Sequence, residues 1–184
     1  MNHILLIGFM GSGKSTMAYR LSYRIKCSFI DTDKFIEKKA GCSIKSMFAT
    51  RGEDYFREQE TACLEALLSE KTSKILALGG GTPMRAENRI LMRKLGTSIY
   101  LKASPETIYQ RLKHDKVRPL LQGPNPKQAI EELLAIRDAI YEEAADYVIS
   151  IDDKEMYEVL QEITEVALEI DKKEVSKKHK KEGR

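Results

Sequence analysis

Cysteine is scarce in this chain of 184 residues: there are three, and no two of them form a Cys-x-x-Cys pair. The three are Cys27, Cys42 and Cys63. An odd number without paired spacing argues against a disulfide framework or a zinc site and favours reduced, buried thiols. The three histidines are scattered and show no metal-ligand spacing. The sequence therefore does not favour a site that depends on cysteine or histidine side chains.

Long apolar runs are also missing, since no stretch approaches the roughly 20 residues that a membrane helix needs. The first four residues lead directly into a predicted strand, without the basic region and cleavage site of a signal peptide. Hydrophobic residues make up 42% and charged residues 32% of the chain, which is typical of globular proteins. From these features we expect a cytoplasmic protein that does not contact a membrane.

The basic charge is concentrated at one end of the chain. The formal net charge is +3, but the segment 171–184, "DKKEVSKKHKKEGR", has seven Lys or Arg against three Asp or Glu, so the remainder is close to neutral. Such a composition favours a disordered tail. Weak binding of nucleic acid or of an acidic partner is the alternative, although no aromatic residue interleaves the charges for base stacking. We expect one domain over residues 1–170, a basic disordered tail over 171–184, and no specific nucleic-acid partner.

Five short apolar runs alternate with longer amphipathic stretches. The runs predict strands at 3–7, 28–31, 74–78, 98–101 and 146–150, and their continuous apolar character is typical of a parallel sheet covered on both faces. The amphipathic stretches predict helices at 14–25, 33–40, 53–70, 86–94, 105–114, 126–143 and 153–169. This alternation predicts a single-domain, three-layer α/β/α sandwich.

One motif indicates a specific ligand. In "LLIGFMGSGKST", residues 5–16, four residues match the G-x-x-x-x-G-K-[ST] phosphate-binding loop: Gly8, Gly13, Lys14 and Ser15. Glycines allow backbone N–H groups to converge on phosphate oxygens, and the following helix adds the positive end of its dipole. The lysine can contact the β and γ phosphates, and the serine hydroxyl can bind Mg²⁺. A glycine-rich turn is the alternative, but the strand before and the helix after favour a nucleoside triphosphate site.

The second predicted strand ends in "FIDTD", which places Asp31 and Asp33 two residues apart. On an extended stretch such residues point to the same side, at the carboxyl edge of the sheet where ligands bind in open α/β folds. One carboxylate could order Mg²⁺, and the other could accept a proton from an attacking hydroxyl group. The alternative is a pair of helix N-cap residues, because Asp33 precedes "KFIEKKA". The phosphate loop favours the catalytic interpretation.

Glycines and arginines supply the remaining candidates. The third predicted strand is followed by "LGGGTP", in which Gly79 to Gly81 could let a substrate lie against bare backbone, although a flexible turn explains them equally well. Arg57 in "DYFRE" and Arg137 in "AIRDAIY" carry guanidinium groups suited to carboxylates. Most arginines in this chain are, however, expected to be solvent-exposed residues without a binding role, and this is the alternative interpretation of both.

A segment with two prolines and a glycine lies between two predicted helices at residues 114–125, "HDKVRPLLQGPN". Loops of this size in compact domains are often lids or binding loops. Arg118 directly precedes Pro119, which favours an extended backbone. We predict a lid over about residues 113–125, from which Arg118 could stabilise charge on a transferring phosphate.

Taken in order, these motifs resemble the shikimate kinase family. The resemblance includes the phosphate loop, "FIDTDKFIEKKAGCSIKSMFATRGEDYFREQE", "GGGTP", "RPLL" and "RDAIYEEAADY", and extends from about residue 3 to residue 150. It implies a P-loop NTPase-like fold whose five-stranded parallel sheet has the order 2-3-1-4-5. It also implies transfer of the γ-phosphate of ATP to the 3-hydroxyl group of shikimate, in the pathway to aromatic compounds, with Mg²⁺ as cofactor.

The resemblance also implies roles for individual residues. ATP would be bound by Gly11, Ser12, Gly13, Lys14, Ser15, Thr16 and Arg111, the last against the adenine ring. Mg²⁺ would be held by Ser15 and Asp31. Shikimate would be bound by Asp33, Arg57, Gly79, Gly80, Gly81 and Arg137, with the two arginines on its carboxylate. Asp33 would act as, or near, the base, and Lys14 and Arg118 would complete the catalytic set.

Two other functions are compatible with the phosphate loop. One is a related small-molecule kinase, such as a gluconate or nucleoside kinase, against which the Asp-x-Asp, "FRE" and "GGG" combination argues. The other is a regulatory module that binds ATP and transfers nothing, which a fold alone does not exclude. A regulatory module would not need Asp33, Arg57 and Arg137 to converge on one pocket. We expect a monomeric enzyme whose partners are ATP and shikimate.

Overall fold

A computed structural model of the chain describes residues 2–115 and 123–182. Its centre is a parallel sheet of five strands: β1 (His3–Ile7), β2 (Phe29–Asp31), β3 (Ile75–Ala77), β4 (Gly96–Lys102) and β5 (Tyr147–Ser150). The strand order is β2-β3-β1-β4-β5. All strand pairs are parallel, with Leu5 of β1 opposite Leu76 of β3 and Ser98 of β4. The sheet predicted from the apolar runs, and the order implied by the resemblance, are confirmed.

Seven helices surround this sheet in the described part of the chain. They are α1 (Lys14–Arg24), α2 (Thr32–Ala40), α3 (Ile44–Leu67), α4 (Ala86–Leu95), α5 (Pro105–Leu112), α6 (Pro126–Ala144) and α7 (Met156–Glu182). A short 3-10 helix covers Thr82–Met84. The helices cover both faces of the sheet, which gives the predicted three-layer sandwich. Ser104 and Asn125 cap α5 and α6 as their positions before proline suggest, accepting hydrogen bonds from the backbone N–H groups of Thr107 and Gln128.

Helix α3 begins earlier than the predicted 53–70. It starts at Ile44 after Ser43, whose hydroxyl oxygen accepts a hydrogen bond from the Ser46 N–H at 3.2 Å. The helical backbone is interrupted at Gly52, where φ is 82° and ψ is 173°. A glycine in this conformation ends the regular pattern, so periodicity alone placed the start of the helix after it.

Helix α7 is longer than the predicted 153–169. The structure continues the helix to Glu182. Lysine and glutamate favour helical backbone, and neither glycine nor proline occurs between Met156 and Glu182. Asp171, Lys172 and Lys173 are exposed, and an ion pair of 2.6 Å joins Lys173 to Glu169.

The core is formed by the sheet and the helix faces that pack on it. Leu5, Leu6, Leu76 and Ile99 are fully buried, which is why the strands are apolar without alternation. Among the cysteines, only Cys63 is buried; Cys27 is half-buried and Cys42 is exposed, so the expectation of buried thiols holds for one of three. Within residues 2–115 and 123–182, no helix is long and apolar enough to span a bilayer.

Candidate active site

A cavity of about 490 Å³ lies at the carboxyl ends of β1, β2 and β3. Its lining includes most of the residues selected from the sequence: Gly11, Gly13, Lys14, Ser15, Thr16, Asp31, Asp33, Arg57, Gly79, Gly80, Gly81, Arg111 and Arg137. Ser12 is buried in the loop beneath the cavity rather than on its wall. Arg118, and residues 116–122 of the predicted lid, lie outside the described residues. The fold therefore brings segments from residues 11 to 137 to one place.

The phosphate loop connects β1 to α1 through backbone that only glycine adopts readily. Gly11 and Gly13 have φ values of 80° and 93°, in the left-handed region. Gly13 is the N-cap of α1 and supplies no side chain, so the first N–H groups of the helix are available to an anion. The Lys14 ammonium donates hydrogen bonds to the carbonyl oxygens of Gly8 and Phe9, at 2.9 and 2.8 Å. The loop and its lysine thus form one folded unit.

Two observations indicate that this unit fits phosphate. The Ser12 hydroxyl is buried and has no hydrogen-bond partner among the described residues. A buried polar group of this kind normally has a partner, and a ligand oxygen would supply one. In addition, the loop combines helix N–H groups with a lysine, which is the donor set that polyphosphates require.

Arg111 lies beside the phosphate loop at the end of α5. Its guanidinium makes long hydrogen bonds to the carbonyl oxygens of Ser12 and Gly11, at 3.3 and 3.5 Å. These bonds hold the arginine against the loop, where it lines the cavity together with Leu112. A role against adenine stays a prediction.

The two aspartates reach the cavity by a route that differs from the predicted one. Strand β2 ends at Asp31, which caps α2 by accepting a hydrogen bond from the Lys34 N–H at 3.2 Å. Asp33 is in the first turn of α2, so the extended geometry assumed for the pair is wrong, and only Asp31 is an N-cap. Thr32 between them donates to the Ala77 carbonyl oxygen and accepts from the Gly79 N–H. This threonine anchors the start of α2 to the end of β3.

Asp33 is the most perturbed carboxyl group of the cavity. Burial, together with the negative charges of Glu60 and Asp31, raises its pKa to about 6, while the charge of Lys14 opposes this shift. Its Oδ1 atom is buried without a hydrogen-bond partner in the described chain. A carboxyl group with a pKa near 6 and an oxygen that lacks a hydrogen-bond partner is suited to accept a proton from a bound hydroxyl group.

Arg57 is held between two glutamates of its own helix. Its Nη1 donates to Glu60 Oε2 at 2.7 Å, and its Nη2 and Nε donate to Glu53 Oε1 at 2.7 and 3.1 Å. Burial acts against the charge of Arg57, but the two carboxylates outweigh it and raise its pKa. Glu60 is itself buried and accepts a hydrogen bond of 2.6 Å from the Thr82 hydroxyl.

The glycine segment 79–81 lies directly against these side chains. A Cβ at position 79 would lie 2.6 Å from Asp33 Oδ1 and 2.7 Å from Glu60 Oε1. A Cβ at position 81 would overlap the Arg57 guanidinium. Glycine is therefore required here by the close approach of the carboxylates and the arginine, rather than by a flexible turn.

Arg137 approaches the cavity from α6. Its guanidinium carbon lies 5.9 Å from the centre of the Phe9 ring. Together with Arg57, it gives the cavity two guanidinium groups on separate helices, in addition to the lysine of the phosphate loop. Two such groups can bind a carboxylate with defined orientation.

Several residues of the site were not selected from the sequence. Glu53 and Glu60 precede and follow Arg57 by four and three residues, and this helical spacing could have indicated them. The apolar wall has no comparable signal and consists of Met10, Ile44, Phe48, Phe56, Leu78 and Leu112. Tyr141 contacts the glycine segment from α6.

Comparisons with known proteins agree with this geometry. The family model described as "SKI: Shikimate kinase" matches residues 10–168. A shikimate kinase of Thioalkalivibrio sulfidiphilus is 44% identical over 163 residues, which covers 89% of this chain and 85% of the relative. A solved shikimate kinase from Acinetobacter baumannii in complex with shikimate is 38% identical, with a TM-score of 0.84 and coverage of 92% and 94%. A gluconokinase from Sinorhizobium meliloti, at 14% identity and a TM-score of 0.57 over 95% and 97% of the two chains, shares the fold alone.

Proposed function

The chain belongs to the shikimate kinase family, and on this premise we propose that it transfers the γ-phosphate of ATP to the 3-hydroxyl group of shikimate. The products are shikimate 3-phosphate and ADP, on the route to aromatic amino acids. The observation that carries the proposal is the shared cavity, in which a phosphate loop faces two arginines and a carboxyl group with a raised pKa. The first group suits a nucleotide, and the second suits a small acid with hydroxyl groups.

The phosphate loop binds the nucleotide in this proposal. The N–H groups of Gly11 to Ser15 surround the phosphates, and Ser12 donates its buried hydroxyl to one of their oxygens. Lys14 exchanges part of its contact with the loop carbonyls for the β and γ phosphates. Thr16 and Arg111 contribute from the first turn of α1 and from α5.

Mg²⁺ is part of the proposal because the donors near the phosphates suit it. Within the described residues, no group of three or more His, Cys, Asp or Glu side chains could form a protein cage for a metal ion. Ser15 and Asp31 line the cavity with oxygen atoms, and Mg²⁺ is commonly held by one or two such ligands together with phosphate oxygens and water. When bound, the ion neutralises charge on the phosphates.

The acceptor is held by side chains from three separate segments. Arg57 and Arg137 bind the carboxylate of shikimate, and its ring lies along Gly79 to Gly81. Asp33 binds the hydroxyl groups through its carboxyl group, whose Oδ1 atom has no hydrogen-bond partner in the described chain. During transfer, the hydroxyl oxygen forms a bond to the γ-phosphorus, the bond from that phosphorus to the bridging β–γ oxygen breaks, and Asp33 accepts the hydroxyl proton.

Arg118 keeps its predicted role as a proposal that rests on the resemblance. It would stabilise the charge of the transferring phosphate together with Lys14. The expected result for Arg118→Ala is a lower kcat with ATP binding retained, measured by steady-state kinetics and by titration with a nucleotide. An unchanged kcat would remove Arg118 from the mechanism.

The other two functions receive less support. A gluconate-type kinase shares the fold, and gluconate also carries a carboxylate and hydroxyl groups, but the solved gluconokinase is similar in fold only, whereas the matching family model and the curated relatives are shikimate kinases. A regulatory module transfers nothing and would not need the part of the cavity that binds an acceptor. We also propose a cytoplasmic location, where ATP is available, and a monomer, since the cavity is lined within one chain.

Measurement of ADP release tests the proposed function. The purified chain is assayed with ATP and Mg²⁺ in the presence of shikimate, of gluconate, or of no acceptor. We expect ADP release that depends on shikimate. Release that depends on gluconate would support the related kinase, release without acceptor would indicate a simple NTPase, and no release in any of the three would favour a regulatory module.

A further inference from the structure

We propose that Tyr141 is a positioning residue that holds the glycine segment 79–81 in the conformation that the acid substrate requires. The inference rests on the proposed function, because it concerns the acceptor half of the same cavity. Tyr141 acts through Gly80, and neither the transferred phosphate nor the proton passes through it.

The contact that supports this proposal joins two distant parts of the chain. The Tyr141 side chain is fully buried, and its hydroxyl donates a hydrogen bond of 2.5 Å to the carbonyl oxygen of Gly80. Helix α6 also packs on the 3-10 helix Thr82–Met84, which directly follows the glycines. The tyrosine therefore connects the helix of Arg137 to the segment along which the substrate ring would lie.

Gly80 is the middle of a segment whose two ends contact catalytic side chains. A Cβ at position 80 would lie 3.5 Å from both the Gly8 carbonyl oxygen and the Met10 amide nitrogen, so this residue packs on the phosphate loop. Gly79 approaches Asp33 and Gly81 approaches Arg57. A shift of Gly80 would consequently alter the spaces beside both side chains at once.

The tyrosine is a constant donor under ordinary conditions. Burial raises the pKa of Tyr141 to about 12, even though the charge of Arg137, a hydrogen bond between Arg137 and the Tyr141 hydroxyl, and the charge of Arg57 act to lower it. The hydroxyl group stays protonated at any pH at which the enzyme would be assayed. Its hydrogen bond to Gly80 is thus a fixed structural link and not a switch.

The neighbouring Tyr100 provides a matched control. Its ring lies 5.1 Å from that of Tyr141, and it is also fully buried. Its hydroxyl donates at 2.6 Å to Asp138, a side chain of α6, instead of to the glycine segment. Tyr141→Phe and Tyr100→Phe therefore remove the same atom from the same aromatic pair, but only the first disconnects Gly80. Tyr141→Phe also removes the hydrogen bond to Arg137, so hydrogen exchange of the glycine segment is the readout that is specific to Gly80.

The experiment compares these two variants with the wild-type chain. Steady-state kinetics give kcat and the KM values for shikimate and ATP, and hydrogen exchange followed by mass spectrometry reports on a peptide spanning residues 75–84 without ligand. For Tyr141→Phe we expect the KM for shikimate to rise about tenfold, because a partly buried carbonyl group loses its donor. The KM for ATP should stay within about twofold, and exchange in the peptide should become faster.

Tyr100→Phe should leave both KM values and the exchange of this peptide unchanged. Unaltered kinetics in Tyr141→Phe would overturn the proposal, and so would the same kinetic changes in both variants, which would indicate general packing of the ring pair. Equal increases in the two KM values of Tyr141→Phe would also contradict it. If wild-type chain does not turn over shikimate, the proposed function fails, while the exchange difference between the two variants still decides the role of Tyr141.

Discussion

The two halves of the cavity are constructed in different ways. The phosphate half comes from one continuous run, residues 8–16, and consists mainly of backbone and a lysine bound to its own loop. The acceptor half is assembled from side chains that are far apart in sequence: Asp33, Arg57 and Arg137, with the glycines between them. The first can be recognised as a motif, whereas the second exists only after the chain has folded.

The halves also differ in electrostatics. The phosphate loop presents N–H groups and a cation to a polyanion, and no acidic side chain belongs to it. The acceptor half places the carboxyl groups of Asp33 and Glu60 near each other. The repulsion between their negative charges is offset at Glu60 by Arg57 and the Thr82 hydroxyl group, and at Asp33 by a raised pKa. Substitutions in the acceptor half should therefore affect shikimate and pH behaviour and leave nucleotide binding intact.

Asp33→Asn should give the largest effect. Without a proton acceptor beside the hydroxyl group, kcat should fall about 1,000-fold, with nucleotide affinity unchanged. Kinetics and titration with ADP would measure both. Asp31→Asn is the matched comparison, because asparagine also caps helices well; its loss of activity should be smaller and partly recovered at high Mg²⁺. Normal turnover in Asp33→Asn would refute its role in transfer.

The raised pKa of Asp33 makes activity and stability respond to pH in opposite directions. Transfer needs the carboxylate, so kcat/KM should fall about tenfold per pH unit below pH 6. Between pH 3.8, which is its ordinary pKa, and about pH 6, Asp33 is protonated in the folded chain and ionised in the unfolded chain. This group therefore stabilises the fold at low pH. That stability is lost as the pH rises through 6.

Asp33→Asn removes this cost of an ionised buried carboxylate. At pH 7.5 the free energy of unfolding of the variant should exceed that of the wild type by up to about 3 kcal/mol. This difference should disappear near pH 4. Urea unfolding of wild type and variant at several pH values provides the measurement. A variant that is less stable than wild type at pH 7.5 would contradict the assigned pKa shift.

Arg57→Lys should separate the two halves at an intermediate magnitude. A lysine keeps the charge but not the planar fork, so the KM for shikimate should rise about tenfold while the KM for ATP is unchanged. Arg111→Lys, next to the phosphate loop, should do the reverse. Identical kinetic changes in the two variants would mean that the halves are not independent.

Glu53→Gln should give the smallest effect, and in the favourable direction. The exposed Glu53 carboxylate occupies the Nε and Nη2 edge of Arg57, where a substrate carboxylate could bind. Its removal should lower the KM for shikimate about threefold, since exposed ion pairs are weak. A higher KM in Glu53→Gln would show instead that the glutamate helps to orient the arginine.

Much of the fold could be predicted because each element has a local signal. The five strands are apolar runs and the helices carry periodic apolar faces, while the resemblance that implied the strand order and the family is confirmed. The start of α3 was missed since Gly52 interrupts its pattern, and the length of α7 was underestimated since charge was weighed above helix propensity. Prediction from local sequence thus fails where two features of the same segment favour different structures.

The site was predictable to the extent that its residues belong to motifs. The phosphate loop is contiguous, and the aspartates follow a recognisable strand, even though Asp33 reaches the cavity from a helix. Tyr141 could not be assigned from local sequence, because its partner Gly80 is 61 residues away along the chain. The helical spacing of Glu60 from Arg57 is visible in the sequence, but its contact with Thr82, 22 residues away, is not. Such contacts depend on tertiary packing alone.

A crystal structure with shikimate and Mg²⁺–ADP would test the division of the cavity most directly. We expect the shikimate carboxylate to lie between Arg57 and Arg137, its 3-hydroxyl group to be within hydrogen-bond distance of Asp33, and ADP to occupy the phosphate loop. Shikimate bound with its carboxylate on Lys14 or Arg111, and its hydroxyl groups away from Asp33, would contradict the account.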